Sequence, residues 1–270
     1  MKKTISLIMI LFVLLSLLAC FGNNTNNSNE DIIPDNNLSD NGDKTSDEKP
    51  EEIDFTKMTV NCLGDSLTYG ANPDGSQMSK PYPTLLKEEL GFSIVNNFGI
   101  GGTKIANEGA GSFTVRYAEM PDADIVLVMG GTNDSLSFSL DMVYRTPLGT
   151  PNDLSEETFY GALNSLCYKL QNKYKDSFIA FITPLPIATA TTEWVYATGS
   201  FTIEEACTAI KTVCSRYNIP VFDAYNLTGY GDICNSEKSN GTGDGIHPSQ
   251  EFWATDFTPK LAQFIKDNYE

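Results

Sequence analysis

Beyond residue 57 the chain alternates between short, almost unbroken apolar runs and longer stretches whose apolar positions recur every three or four residues. The short runs are 58–63, Phe92–Asn96, Asp124–Met129, Phe178–Ile182 and Ile219–Phe222, and their length and composition predict five strands. The helical periodicity falls between them, over Pro83–Leu90 (stopped by Gly91), Ser112–Met120, Glu156–Tyr174 and Ile203–Tyr217. In the last of these, Thr202 and Glu205 form a capping box, and Ile203, Cys207, Ile210, Val213, Cys214 and Tyr217 share one face. Phe159, Leu163, Leu166 and Leu170 do the same in the third. A final helical segment, Ser249–Tyr269, carries Pro259 as a restart behind Thr258 and places Trp253 at a core spacing. Strands that are nearly continuous in apolar residues and alternate with helices predict an α/β domain, with a parallel sheet covered on both faces.

Upstream of this domain the pattern changes twice. Lys2 and Lys3 precede an apolar run, Ile5 to Leu18, that is too short to span a bilayer comfortably and ends in Leu17-Leu18-Ala19-Cys20. The stretch resembles a bacterial lipoprotein signal, which implies lipidation of Cys20 and an extracytoplasmic, membrane-anchored protein; an ordinary secretory signal is the alternative. Residues 21–57 are rich in Asn, Asp, Ser and Glu, with ten acids against Lys44, Lys49 and Lys57. A segment with so little to bury is predicted to be a disordered linker, and as a flexible coil of this length it spans about 35 Å. Residues 58–270 then form one domain, without internal repeats.

Charge and cysteine content narrow the function. The net charge of −17 at pH 7 argues against nucleic acid as a partner and against adsorption to anionic lipid, and favours a neutral or cationic substrate. With Cys20 set aside, five cysteines remain, an odd number. Cys207 and Cys214 are two helical turns apart, about 10 Å of axial rise, beyond the reach of a disulfide. Buried free thiols are expected, and no Cys/His spacing points to a metal.

In a parallel sheet, ligands bind outside the carboxyl ends of the strands, and every chemically distinctive stretch falls there. Gly64-Asp65-Ser66-Leu67-Thr68 follows the first strand, Gly99-Ile100-Gly101-Gly102 the second and Gly130-Gly131-Thr132-Asn133-Asp134 the third. A long loop, Thr183–Ser200, follows the fourth, and a glycine-rich loop ending in Asp244-Gly245-Ile246-His247-Pro248 follows the fifth. A serine hydroxyl is a weak nucleophile without a base, and His247 is the only histidine in the chain, so a Ser–His pair requires it. Asp244, three residues earlier, can reach the imidazole and fix its tautomer; Asp223, near the end of the fifth strand, is the other carboxylate placed to do so. The backbone N–H groups of Ser66 and Gly102 and the side-chain amide of Asn133 are candidate donors to an oxyanion.

Taken together, Gly-Asp-Ser66-Leu-Thr, Asn97-Phe-Gly-Ile-Gly-Gly102, Gly-Thr-Asn133-Asp and Asp244-Gly-Ile-His247-Pro resemble, in order, the four blocks of the SGNH/GDSL hydrolase family. Gly101 stands where a serine is commoner. The resemblance implies a three-layer α/β/α sandwich with strand order 2-1-3-4-5 and a flavodoxin-like arrangement. It also implies Ser66 as nucleophile, His247 as base, Asp244 as its partner, an oxyanion hole of Ser66, Gly102 and Asn133, and no cofactor. An α/β-hydrolase elbow would need Gly-x-Ser-x-Gly, and Thr68 occupies its last place.

Substrate is less legible. The predicted pocket walls are the loop after Asn133, with Phe138, Tyr144 and Arg145, and the loop Thr183–Ser200, with Trp194 and Tyr196. Such aromatics stack on sugar rings or line acyl pockets. Carbohydrate O-deacetylation is the expected activity, with a lipase, lysophospholipase or thioesterase on the same triad as the alternative. A non-catalytic glycan-binding lipoprotein is the reading from another class, and the intact Ser66, Asp244 and His247 weigh against it.

Overall fold

The computed structural model describes residues 53–136, 145–187, 201–231 and 244–269, all within the compact unit Glu52–Glu270. Cys20 and the predicted wall residues Phe138, Tyr144, Trp194 and Tyr196 lie outside the described residues.

Five parallel strands form one sheet in the order β2-β1-β3-β4-β5. They are β1 (Thr59–Gly64), β2 (Ile94–Gly99), β3 (Ile125–Met129), β4 (Phe178–Ile182) and β5 (Val221–Phe222). The helices are α1 (Ser66–Tyr69), α2 (Tyr82–Leu90), α3 (Phe113–Arg116), α4 (Thr132–Ser135), α5 (Phe159–Lys173), α6 (Ile203–Arg216), α7 (Ala224–Leu227) and α8 (Thr258–Asn268). Successive strand residues point to opposite faces, and the core divides accordingly. Ile125, Leu127 and Met129 pack with Tyr82 and Leu86 of α2 and Leu261 and Ile265 of α8. Val126 and Val128 pack with Leu163 and Leu166 of α5 and Ile210 and Val213 of α6. This is the expected sandwich.

The register positions the chemistry. Gly64 lies level with Gly99 on one side and Met129 on the other, Met129 with Ile182, and Ile182 with Phe222. All five strands therefore end at one height, and the loops that leave them share one edge.

Several boundaries differ from the sequence pattern. β2 runs later than the apolar run suggests and is not continuously buried; Ile94 is 50% exposed because β2 is an edge strand with one free side. The segment Ser112–Met120 splits into α3 and a 3-10 turn, Tyr117–Glu119. At the C-terminus, Gln250–Phe252 continues into a π turn, Trp253–Phe257, directly before Thr258 and Pro259 open α8. Proline cannot supply the N–H that a continuous α-helix needs, which accounts for the wider turn there. Trp253 is fully buried, as its spacing predicts.

The linker boundary at residue 57 is a correction. Asp54 caps a 3-10 turn, Phe55–Lys57, and Phe55 is buried with its ring 5.6 Å from Phe92 and 5.7 Å from Tyr269. One aromatic at the end of a polar run is enough to dock the segment on the core. Cys62, Cys167, Cys207 and Cys214 are buried free thiols, and burial pushes those of Cys62 and Cys207 up to about 12.

Candidate active site

The chain leaves β1 at Gly64 and enters α1 within two residues. Asp65 caps this single turn, accepting the Leu67 N–H at 2.9 Å, and Gly70 ends it in the left-handed region at φ 84°. Ser66 is thus the first residue of a helix, where its own N–H has no acceptor within the helix. At Gly99 of β2 a Cβ atom would sit 2.0 Å from the Tyr69 backbone nitrogen, so only glycine lets β2 close on α1.

His247 reaches Ser66 from the far end of the sequence. Its Nε2 lies 2.8 Å from Ser66 Oγ, and its Nδ1 lies 2.6 Å from Asp244 Oδ2. The other oxygen of Asp244 accepts the N–H groups of Ile246 and His247, both at 2.9 Å, so one carboxylate shapes the loop and orients the ring. Partial burial pushes the Asp244 carboxyl up, but the ring contact and the two backbone N–H bonds outweigh it and hold its pKa at about 2. Asp223 is engaged elsewhere: it accepts from Lys211 Nζ at 2.5 Å and Asn226 Nδ2 at 2.8 Å. Of the two carboxylates, Asp244 is the one in contact with the imidazole.

Gly102 has φ 75° and would meet nothing within 4 Å if a Cβ were added. Glycine is needed there for its left-handed backbone, and not to keep a side chain out of the way. Asn133 lies on α4, with its Nδ2 donating to Thr103 O at 3.0 Å and directed at Asp65 Oδ2 at 3.4 Å. Ser66, Gly102, Asn133 and His247 line one cavity of about 490 Å³.

Three features of this site were not predicted. Asp134 is buried and accepts the N–H groups of Ile105 and Ala106 at 3.0 and 2.9 Å, tying the loop after Gly102 to α4. Burial raises its pKa to about 6 and that of Asp65 to about 7. The described cavity wall comes from Tyr69, Ala71, Asn72, Pro73, Gly75 and Ile100, while the expected wall residues Phe138, Tyr144, Trp194 and Tyr196 lie outside the described residues. Ile100, an apolar residue between glycines at a strand end, is the one signal for it in the sequence. Arg145, predicted with the wall, is half-buried and does not line this cavity.

Residues 62–252 match the model of the GDSL-like lipase/acylhydrolase family. The chain belongs to this family. It is accordingly a serine hydrolase acting on ester bonds. A solved structure of a protein from Lactobacillus plantarum is 24% identical with a TM-score of 0.68, covering 81% of this chain and 100% of its own. A carbohydrate acetylesterase from Sinorhizobium meliloti is 22% identical with a TM-score of 0.54, covering 78% and 97%. The lipase/acylhydrolase from Enterococcus faecalis is 18% identical with a TM-score of 0.54, covering 77% and 95%. These likenesses show a shared fold. No curated protein matches the chain.

Proposed function

We propose that this GDSL hydrolase removes O-acetyl groups from carbohydrate through an acyl-enzyme. Ser66 Oγ attacks the ester carbonyl while His247 Nε2 takes its proton, and the carbonyl oxygen gathers negative charge. The N–H groups of Ser66 and Gly102 and the Asn133 amide stabilise that charge. The carbon–oxygen bond to the alcohol then breaks, and His247 returns the proton to the departing oxygen. Water repeats the sequence on the acyl-serine, with His247 again as base, and releases acetate and free Ser66. Asp244 holds the ring tautomer and stabilises the imidazolium, and stays ionised throughout.

The observation that carries this reading is the continuous Ser66–His247–Asp244 relay, with contacts of 2.8 and 2.6 Å, opening on a cavity that also holds Gly102 and Asn133. The acetyl preference is supported by the acidic balance of the chain and the shared fold with a carbohydrate acetylesterase. The apolar Ala71, Pro73 and Ile100 on the wall favour a lipase as the second reading. A panel of p-nitrophenyl acetate, p-nitrophenyl octanoate, acetylated xylan and lysophosphatidylcholine separates the two. Acetyl release from xylan with little octanoate turnover is expected, and the reverse preference would overturn deacetylation.

We also propose anchoring through Cys20, in keeping with the small Ala19 before it and the short apolar run. Expressed in a bacterium, the wild type is expected to partition into detergent and Cys20→Ala to be soluble or retained as precursor. Equal partitioning with no acyl group detected by mass spectrometry would point to an ordinary secretory signal.

A further inference from the structure

A buried arginine lies beneath the active-site floor, outside the relay. Arg116, at the end of α3, is 6% exposed. Its guanidinium donates to four acceptors on three segments. Nε reaches Gly111 O at 2.8 Å and Nη1 reaches Phe98 O at 2.7 Å, while Nη2 reaches both Gly64 O at 2.8 Å and Thr103 Oγ1 at 2.9 Å. The Phe113 ring lies under it, 5.0 Å from Cζ. Burying a guanidinium is costly unless its hydrogen bonds are met, and here strand-end and loop oxygens meet them.

Those oxygens are not a random set. Gly64 is the last residue of β1, two before Ser66. Phe98 belongs to β2, whose end leads into Gly102. Thr103 follows Gly102 directly, and its carbonyl is the acceptor that holds Asn133 Nδ2. The Thr103 hydroxyl in turn donates to Ile100 O at 2.8 Å, and the Ile100 N–H to Gly64 O at 3.1 Å. The segments carrying the Ser66 and Gly102 donors therefore meet on one rigid, planar group, and Asn133 is tied to it through the Thr103 carbonyl. Lysine, a point charge on a flexible stem, cannot reproduce that fork.

We infer that Arg116 is the positioning residue of the oxyanion hole, fixing the Ser66, Gly102 and Asn133 donors relative to one another through Gly64 O, Phe98 O and Thr103. The inference rests on the serine-esterase reading above. A misplacement of about 1 Å costs on the order of 100-fold in rate, so the effect belongs on kcat and not on substrate binding.

The test is steady-state hydrolysis of p-nitrophenyl acetate, with inhibition by a boronic acid that forms a tetrahedral adduct on serine. Both are measured on wild type, Arg116→Lys, Thr103→Val and the double variant, with circular dichroism reporting the folded fraction. Arg116→Lys is expected to lower kcat about 100-fold, with KM within about threefold and the boronic acid Ki raised in proportion to the loss in kcat. Thr103→Val removes one of the four contacts and keeps the carbonyl that holds Asn133; a drop of about tenfold in kcat is expected. The double variant should lose less than the product of the two single losses, since the two share the Arg116–Thr103 contact. If Arg116→Lys does not fold, Thr103→Val decides alone by the same readouts. An active wild type with kcat per folded molecule unchanged in these variants overturns the positioning role alone. A folded wild type that hydrolyses no ester overturns the esterase reading, and this inference with it.

Discussion

The two ends of the sheet both carry cavities and many polar groups, and they use them differently. The larger cavity, about 1000 Å³, is at the amino end, lined among others by Tyr174, Ser177, Phe178, Pro220 and Tyr269. Polar groups at this end of the sheet close on backbone oxygens of the loop that enters β3. Asn61 Nδ2 donates to Pro121 O at 2.7 Å, Tyr174 Oη to Pro121 O at 3.0 Å, and Ser177 Oγ to Ala123 O at 2.6 Å. At the carboxyl end the cavity is half the size, yet Ser66 faces it with a base attached and Gly102 presents its backbone. Size does not mark the reactive end. A nucleophile held against its base, at the mouth of a cavity, does.

The most direct way to break this contrast is at the relay. Ser66→Ala or His247→Ala is expected to lower kcat/KM on p-nitrophenyl acetate by at least about 10⁴-fold, while Ser177→Ala at the amino end leaves it unchanged. Comparable losses from both ends would dissolve the distinction.

Asp244→Asn comes next, with an expected loss of about 10³- to 10⁴-fold in kcat, whereas Asp223→Asn should retain most of the activity. The Asp244 pKa of about 2 lies below its ordinary 3.8, so its contribution to stability is present above pH 3.8 and is lost as pH falls toward 2. Acid unfolding of the wild type should show that loss, and Asp244→Asn should not.

Asn133→Ala tests one oxyanion donor. A loss of about 100-fold in kcat with KM nearly unchanged is expected. Raised KM at full kcat would instead make Asn133 a substrate-binding residue.

Stability should separate the two ends in the opposite sense. Burial raises the Asp65 pKa from 3.8 to about 7, so between those values the folded state holds a proton that the unfolded chain has released. Stability therefore falls as pH rises from about 4 to 7, and Asp65→Asn should flatten that decline in denaturant titrations. A steeper decline would reverse the assignment. At the amino end, Tyr174→Phe is the smallest expected effect. It should destabilise by about 1 kcal/mol in the same titrations, with kcat unchanged.

Much of this was legible in the chain. β3 and β4 announce themselves because both faces of a central parallel strand are buried, and Thr202 with Glu205 marks the start of α6 by chemistry that spans only four residues. Ser66, Gly102, Asn133 and His247 could be named because each follows a strand, and parallel strands send their exits to one edge. The edge strand β2 and the docking of Phe55 were misjudged, since periodicity reports how much a segment could bury and not whether a partner lies on each side.

What the sequence determined by itself was local: apolar runs, caps, turn glycines, and hence the elements and their order along the chain. What only the tertiary structure decided was which distant groups meet. Asp244 and Asp223 both sit near strand ends, and the 2.6 Å contact with His247 separates them. The wall residues Tyr69, Pro73 and Ile100 come from α1, the loop that follows it and the turn after β2, and only the fold brings them together. The acceptors of Arg116 lie as far as 52 residues away, brought together by sheet register. Burial patterns are set by neighbours along the chain, whereas hydrogen bonds across the sheet depend on strands ending at one height, which no single segment encodes.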